Sequence, residues 1–291
     1  MHSKILIIAG MHRSGTSLVT QWLYRCGLFI GEELLTANIG NMDGHFEDKD
    51  FLHLHERFLK ERKMPDTGFT DKIIPPLTIA EKELLERMIE KKNNTNKEWG
   101  WKEPRTCLFL DVYHELIPSA YYLFVVRDFN TTVNSMLTRE YKLYIKKIQG
   151  KRGLSKLKWM LFKRKSMEGL YREKAEYFLK IWINYYEHIL YHVRLLSQSK
   201  FMIVHYSYML QNSGYAFARL KNDWRFSLNY IPFSAVYKKD LLSEVKDISP
   251  WIRDLSLMKK ARATEQAIQE LFEESVKVGI PAGPDQLTGT A

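Results

Sequence analysis

Near its start the chain reads Gly10-Met11-His12-Arg13-Ser14-Gly15-Thr16-Ser17: two glycines, one permanent cation and three hydroxyls within eight residues. Those residue types suit an anion. Glycine lets the backbone approach a phosphate closely, the first N–H groups of a helix have no partner inside it, and the helix dipole adds partial positive charge there. The apolar run Ile5-Leu6-Ile7-Ile8-Ala9 predicts a strand before the segment, and Leu18, Val19, Trp22 and Leu23 predict a helix after it. So placed, the segment nearly matches the nucleotide-triphosphatase loop GxxxxGK[ST]. Gly10, Gly15 and Ser17 fit, but Thr16 stands where the lysine belongs and the charge sits at Arg13. What binds a phosphate-like group is kept; the lysine of an ATPase is not. The plainer alternative is an ordinary β–α turn closed by a glycine.

Two more polar clusters end extended segments. In Trp99-Gly100-Trp101-Lys102-Glu103-Pro104-Arg105-Thr106, Pro104 bars Glu103 from helix, so 99–103 is expected to be extended, with a helix from about Arg105 to before Pro118. Residues 121–126, Tyr-Tyr-Leu-Phe-Val-Val, read as a buried strand ending at Arg127-Asp128, with a helix from near Thr131. Further on, 171–196 predicts a long helix, 201–206 a strand, 215–223 and 261–278 helices, while 223–250 has no clear pattern. Strands alternating with helices predict an α/β fold: a P-loop-like three-layer arrangement, its central parallel sheet flanked by helices. Ligands of such sheets bind beyond the carboxyl ends of the strands. The loop 10–17, the cluster 101–105 and Arg127-Asp128 are all expected there, in one crevice.

The remaining composition sets bounds. A chain of 291 residues suits one domain, here 1–278, carrying a basic insertion or lid at about 138–168 and a flexible tail at 279–291. Cys26 and Cys107 have no metal-ligand or disulfide spacing, no apolar run reaches membrane-spanning length, and no signal-peptide pattern is present, which points to the cytoplasm. The net charge of +10 is local: residues 138–165 hold eleven Lys/Arg against one acid, Glu140, and the other 33 basic and 33 acidic residues cancel. Apolar residues interleave with these charges, so the segment reads as a basic amphipathic helix. It could lie on an anionic membrane or hold a polyanionic acceptor, or it could be only a solvated lid. Nucleic-acid binding rests on this stretch alone and ranks lowest.

The motifs resemble those of sulfotransferases that use 3′-phosphoadenosine 5′-phosphosulfate (PAPS), in particular bacterial members and the carbohydrate and protein-tyrosine branches. Residues 10–17 resemble the family's loop for the 5′-phosphosulfate. Val126-Arg127-Asp128 followed by Ser135 is similar to its 3′-phosphate element. Gly44-His45-Phe46-Glu47-Asp48 and Trp101-Lys102-Glu103-Pro104-Arg105-Thr106 resemble segments of bacterial members. The motifs cover roughly the first half of the chain. The resemblance implies transfer of a sulfuryl group from PAPS to an acceptor hydroxyl, releasing 3′-phosphoadenosine 5′-phosphate, with no metal required. It implies donor binding by Arg13, Ser14, Gly15, Thr16, Ser17, Arg127 and Ser135. Arg13 and Lys102 would offset charge on the leaving group; Glu47 would be the base, with His45 second. Asp48 could cap the next helix, Lys102 could instead pair with Glu103, and Arg105 could hold phosphate or only structure. The implied acceptor is a carbohydrate, glycolipid or other small molecule, for which Trp99 and Trp101 would suit sugar stacking. The competing reading within enzymes is a P-loop small-molecule kinase using ATP and Mg²⁺. Outside enzymes it is a non-catalytic nucleotide- or membrane-binding protein of similar fold.

Overall fold

The computed structural model describes residues 3–35, 44–149, 154–237 and 245–277. Lys151-Arg152-Gly153, which by its sequence is expected to divide the basic segment, and the expected flexible tail 279–291 lie outside them. Four strands, β1 (Lys4–Ala9), β2 (Glu98–Lys102), β3 (Tyr121–Val126) and β4 (Phe201–His205), form one parallel sheet in the order β2-β1-β3-β4. Ile8 pairs with Lys102, Ala9 with Phe124, and Val126 with His205, so all four carboxyl ends finish along one edge.

Strand periodicity divides the core. Ile5, Ile7, Trp99, Trp101, Tyr122, Phe124, Phe201 and Ile203 face one side, and Leu6, Ile8, Leu123, Val125, Met202 and Val204 face the other. The first side is covered by α2 (Lys49–Glu61), α4 (Leu110–Leu116), α5 (Phe129–Gln149), α6 (Leu154–Val193) and α8 (Leu255–Lys277). The second is covered by α1 (Thr16–Arg25) and α7 (Tyr206–Ala218). The expected three layers are present. Trp99 and Trp101 are fully buried, and Trp101 stacks on Phe51 at 4.1 Å. Their place on alternate positions of β2 turns both rings into the core, which removes them as sugar-stacking surfaces.

Several boundaries moved for local reasons. α5 begins at Phe129, two residues early, because the Asp128 carboxylate accepts from Thr131 N at 2.7 Å and caps it. Pro104 starts a 3₁₀ turn, Pro104–Leu108, before α4. The long helix begins at Leu154, so α5 and the 40-residue α6 form a hairpin carrying the basic segment. The connection from α2 to β2 passes through residues 65–70 and α3 (Ile79–Thr95). No helix among the described residues is long and apolar enough to cross a membrane.

Candidate active site

The loop after β1 is held by close backbone approach. A Cβ on Gly10 would lie 2.4 Å from the Val125 carbonyl oxygen, so the loop can lean on β3 only with glycine there. The buried Ser14 hydroxyl donates to the Met11 carbonyl at 2.7 Å and closes the turn. Gly15 then takes the left-handed conformation, φ 95°, as the N-cap of α1. No side chain caps this helix, unlike α2, capped by Asp48, and α3, which has a full Thr78–Glu81 capping box. The first N–H groups of α1 therefore face the crevice with the dipole behind them.

Arg13 has φ 69°, a conformation that costs a non-glycine residue about 1–2 kcal/mol. Its Nε donates to the Ser135 hydroxyl on α5 at 3.0 Å, and its carbonyl accepts from Arg127 Nη1 at 3.0 Å. Burial, then Arg139 and Arg127, lower the Arg13 pKa to about 10, which leaves it charged at neutral pH. The two motifs expected to bind a donor are thus one connected group, joined through Arg13. Arg127 is also fixed by its backbone: its N–H donates to the Tyr186 hydroxyl at 2.6 Å, and its carbonyl accepts from Tyr186 at 2.7 Å and Trp182 Nε1 at 3.2 Å.

At the end of β2, Lys102 is completely buried. Its ammonium lies 2.9 Å from Glu47 Oε1 and 3.2 Å from Ser17 Oγ, and it also donates to the His45 carbonyl. Lys102 does not pair with Glu103. Adjacent residues in an extended chain point to opposite faces, and Glu103 is buried against Arg105 and His55, whose Nδ1 lies 2.6 Å away. His55 in turn meets the Tyr113 hydroxyl at 2.6 Å. Arg105 donates to Glu103, the Asp66 carbonyl and Glu56, contacts that give it a structural role. His45 Nδ1 stands 3.8 Å from Glu47 Oε1, and burial above all lowers its pKa, favouring the neutral ring. Asp48 caps α2 through Asp50 N at 2.8 Å and pairs with buried Lys92 at 2.8 Å.

Arg13, Ser17, Arg127, Ser135, Lys102, Glu47 and His45 therefore meet at the carboxyl edge of the sheet, from four distant parts of the chain. Two neighbours carried no signal in the sequence. His12 lies against Phe69 and Tyr185, and Arg139, one turn beyond Ser135, acts electrostatically on Arg13, His12 and His45. Only its i+4 spacing from Ser135 could have pointed to Arg139. Among the described residues, no group of three or more His, Cys, Asp or Glu could hold a metal ion.

The model of the sulfotransferase family matches residues 6–221. This chain belongs to the sulfotransferase family. Sulfuryl transfer is the reaction class that family and fold support together. The sulfotransferase is similar to the crystal structure of sulfotransferase STF9 from Mycobacterium avium at 14% identity and a TM-score of 0.50, over 96% of this chain and 77% of that one. It also matches a sulfotransferase domain from the curacin biosynthetic pathway (12% identity, TM-score 0.46, 92% and 97% of the two chains). A third match is the sulfotransferase domain of the Synechococcus PCC 7002 olefin synthase (15% identity, TM-score 0.45, 93% and 96%). At these identities the likeness concerns fold alone. A search of curated proteins found no match.

Proposed function

We propose that this sulfotransferase uses PAPS as donor and an acceptor hydroxyl as nucleophile. The observation that carries the reading is the position of Lys102, whose ammonium is shared between Ser17 of the phosphate loop and Glu47. One buried cation thereby links the place expected for the leaving phosphate to the place expected for a base. The donor set also fits a ligand with phosphate at two ends. The uncapped start of α1 with Arg13, Ser14, Gly15, Thr16 and Ser17 suits one end. Arg127 and Ser135 suit the other, with a planar guanidinium fork and a hydroxyl. When bound, PAPS supplies an activated sulfuryl group whose transfer leaves the bisphosphate behind.

The remaining chemistry falls to the chain's own side chains. Sulfuryl transfer is treated by analogy with phosphoryl transfer, in which positioning and charge dominate. Lys102 and Arg13 hold positive charge where the leaving group gains negative charge. Glu47 takes the acceptor's proton; Lys102 engages Oε1 and leaves Oε2 to do so. His45, kept neutral by burial beside Glu47, is the second candidate base. These side-chain cations supply the neutralisation, so the proposal requires no metal.

The acceptor is placed among carbohydrates, glycolipids and other hydroxyl-bearing small molecules. With Trp99 and Trp101 in the core, that choice rests on the family resemblance and the basic segment 138–165, which could receive an anionic acceptor or lie on an anionic membrane. The kinase alternative is disfavoured by Thr16 at the lysine position. The direct test incubates the enzyme with PAPS and a panel of hydroxylated acceptors in the presence of a chelator. Acceptor-dependent release of 3′-phosphoadenosine 5′-phosphate supports the reading. Turnover of ATP with Mg²⁺, and none of PAPS, would replace it with the kinase.

A further inference from the structure

Residues 65–70, Pro-Asp-Thr-Gly-Phe-Thr, are bound in an unusual way. Five consecutive carbonyls each accept from a different side chain. Arg105 donates to the Asp66 carbonyl, His12 Nε2 to Thr67 at 3.1 Å, and the Tyr185 hydroxyl to Gly68 at 3.1 Å. The Tyr177 hydroxyl donates to Phe69 at 2.7 Å and Asn184 Nδ2 to Thr70 at 2.9 Å. Tyr177, Asn184 and Tyr185 all come from α6, so the segment is strapped to the longest helix of the fold. Inside it, Gly68 N donates to the Pro65 carbonyl at 2.9 Å and Thr70 N to Gly68 at 2.9 Å. A connection exposed only over residues 65–67, with Gly68 and Thr70 buried and this many fixed carbonyls, is a rigid abutment, not an adaptable loop.

Only one of the five donors belongs to the phosphate loop, and it is His12. Its ring sits edge-on to Phe69, with centroids 4.9 Å apart, and 6.1 Å from that of Tyr185. A carbonyl can only accept, so Nε2 carries the hydrogen and the neutral tautomer is fixed. Burial and the nearby Arg105 push the His12 pKa down to about 3, so the ring adds no charge to the crevice. The next residue is Arg13, with its left-handed backbone and its guanidinium turned to Ser135. A strained turn of this kind persists only where its surroundings over-determine it. The Ser14–Met11 bond and the Arg127 contact to the Arg13 carbonyl hold it from one side. The strap, through His12, holds it from the other.

We propose that His12 is a positioning residue of the phosphate loop. It ties the turn before Arg13 to the strapped segment 65–70 and so sets the reach of the Arg13 guanidinium to Ser135. The proposal rests on the donor-site reading above. It makes the strap, which contributes no group to the transfer itself, a determinant of donor binding.

The test is calorimetric binding of 3′-phosphoadenosine 5′-phosphate, with thermal melting beside it and kcat and KM for PAPS where turnover is measurable. His12→Phe keeps a ring between Phe69 and Tyr185 and removes the donor. It should weaken the bisphosphate by about fivefold to tenfold, the worth of one well-placed hydrogen bond. KM for PAPS should rise and kcat fall, because Arg13 is displaced in both states. His12→Gln restores a donor and should return affinity to within about twofold of wild type. A merely structural role would instead lower the melting temperature and leave the affinity of the folded protein unchanged. Tyr177→Phe loosens the strap from its partly exposed far end. It should weaken binding by about twofold to threefold, an effect that disappears in the His12→Phe background. If His12→Phe does not fold, Tyr177→Phe decides alone. Wild-type affinity in His12→Phe, or in Tyr177→Phe where that variant decides, overturns the proposal. Failure of the wild type to bind the bisphosphate overturns the donor-site reading instead, and the positioning role falls with it.

Discussion

At the scale of residues, the site turns on the buried pair Lys102–Glu47, 2.9 Å apart. Glu47→Gln keeps the shape and a hydrogen-bond acceptor but removes the proposed base. It should bind the bisphosphate as wild type does and transfer sulfuryl groups at least about 100-fold more slowly, measured as turnover of PAPS. Unimpaired turnover would remove Glu47 from its role. Lys102→Met leaves the Glu47 carboxylate buried without its partner, so it should cost about 3–5 kcal/mol of stability as well as activity, read from denaturant midpoints. Part of this was legible in the sequence. Residue types alone singled out 10–17, and resemblance singled out the segment around Glu47; the fold brings both to the carboxyl edge of the sheet. The partner of Lys102 was not legible, because Glu103 is adjacent in sequence and Glu47 is 55 residues away. Strand alternation decides it, and only the fold shows which face is which. The same alternation defeated the sugar-stacking idea for Trp99 and Trp101. On a strand buried on both faces, an aromatic pair reads the same as an exposed platform.

At the scale of elements, helix starts divide by use. α3 has a capping box at Thr78 and Glu81, and Glu81 also holds Arg62 through bonds of 2.6 and 2.8 Å. α1 is left uncapped where an anion is expected. Thr78→Ala should therefore cost about 1 kcal/mol of stability with no change in donor affinity, by urea unfolding and calorimetry. Arg62 lowers the Glu81 pKa from 4.5 to about 2. A depressed acid stabilises the fold fully above its unfolded value and loses that contribution as pH falls through its folded one. The unfolding midpoint of Glu81→Gln should thus lie below wild type at pH 7 and converge on it between about pH 4.5 and 2. The strands were legible to within a residue because β1, β3 and β4 are short apolar runs and Pro104 marks the end of β2. Helix ends were less so. Asp128 looked like a strand-end charge and is the cap of α5, and the basic stretch joined the helix from 171 onward to make α6.

At the scale of the whole molecule, two charge distributions matter. The first is internal. Burial lowers the pKa of His192 to about 3, with His114 adding to the effect, and it lowers His12 as far. His192 is 1% exposed, between His114 and Tyr122, and stays neutral in the fold. The fold gains from this fully above the unfolded value near 6.5, and the gain shrinks as pH falls toward 3. Each such histidine should cost up to about 1.4 kcal/mol per pH unit below 6.5. Melting temperatures from pH 7 to 5 should therefore fall, less steeply in His192→Phe. The second distribution is the basic hairpin of α5 and α6. It was legible in the sequence as charge divided at Lys151-Arg152-Gly153, but the 40-residue length of α6 was not, since its first part was read as a segment separate from the helix from 171 onward. On the function proposed above, the crevice is a PAPS site. The measurement that reaches it most directly is calorimetric titration with 3′-phosphoadenosine 5′-phosphate without Mg²⁺, beside ATP with Mg²⁺, for wild type and Arg127→Ala. Micromolar affinity for the bisphosphate, lost by a factor of about 10 or more in Arg127→Ala, and weak binding of ATP are expected. Tight ATP binding with no preference for a 3′-phosphate, unchanged in Arg127→Ala, would contradict the proposed function.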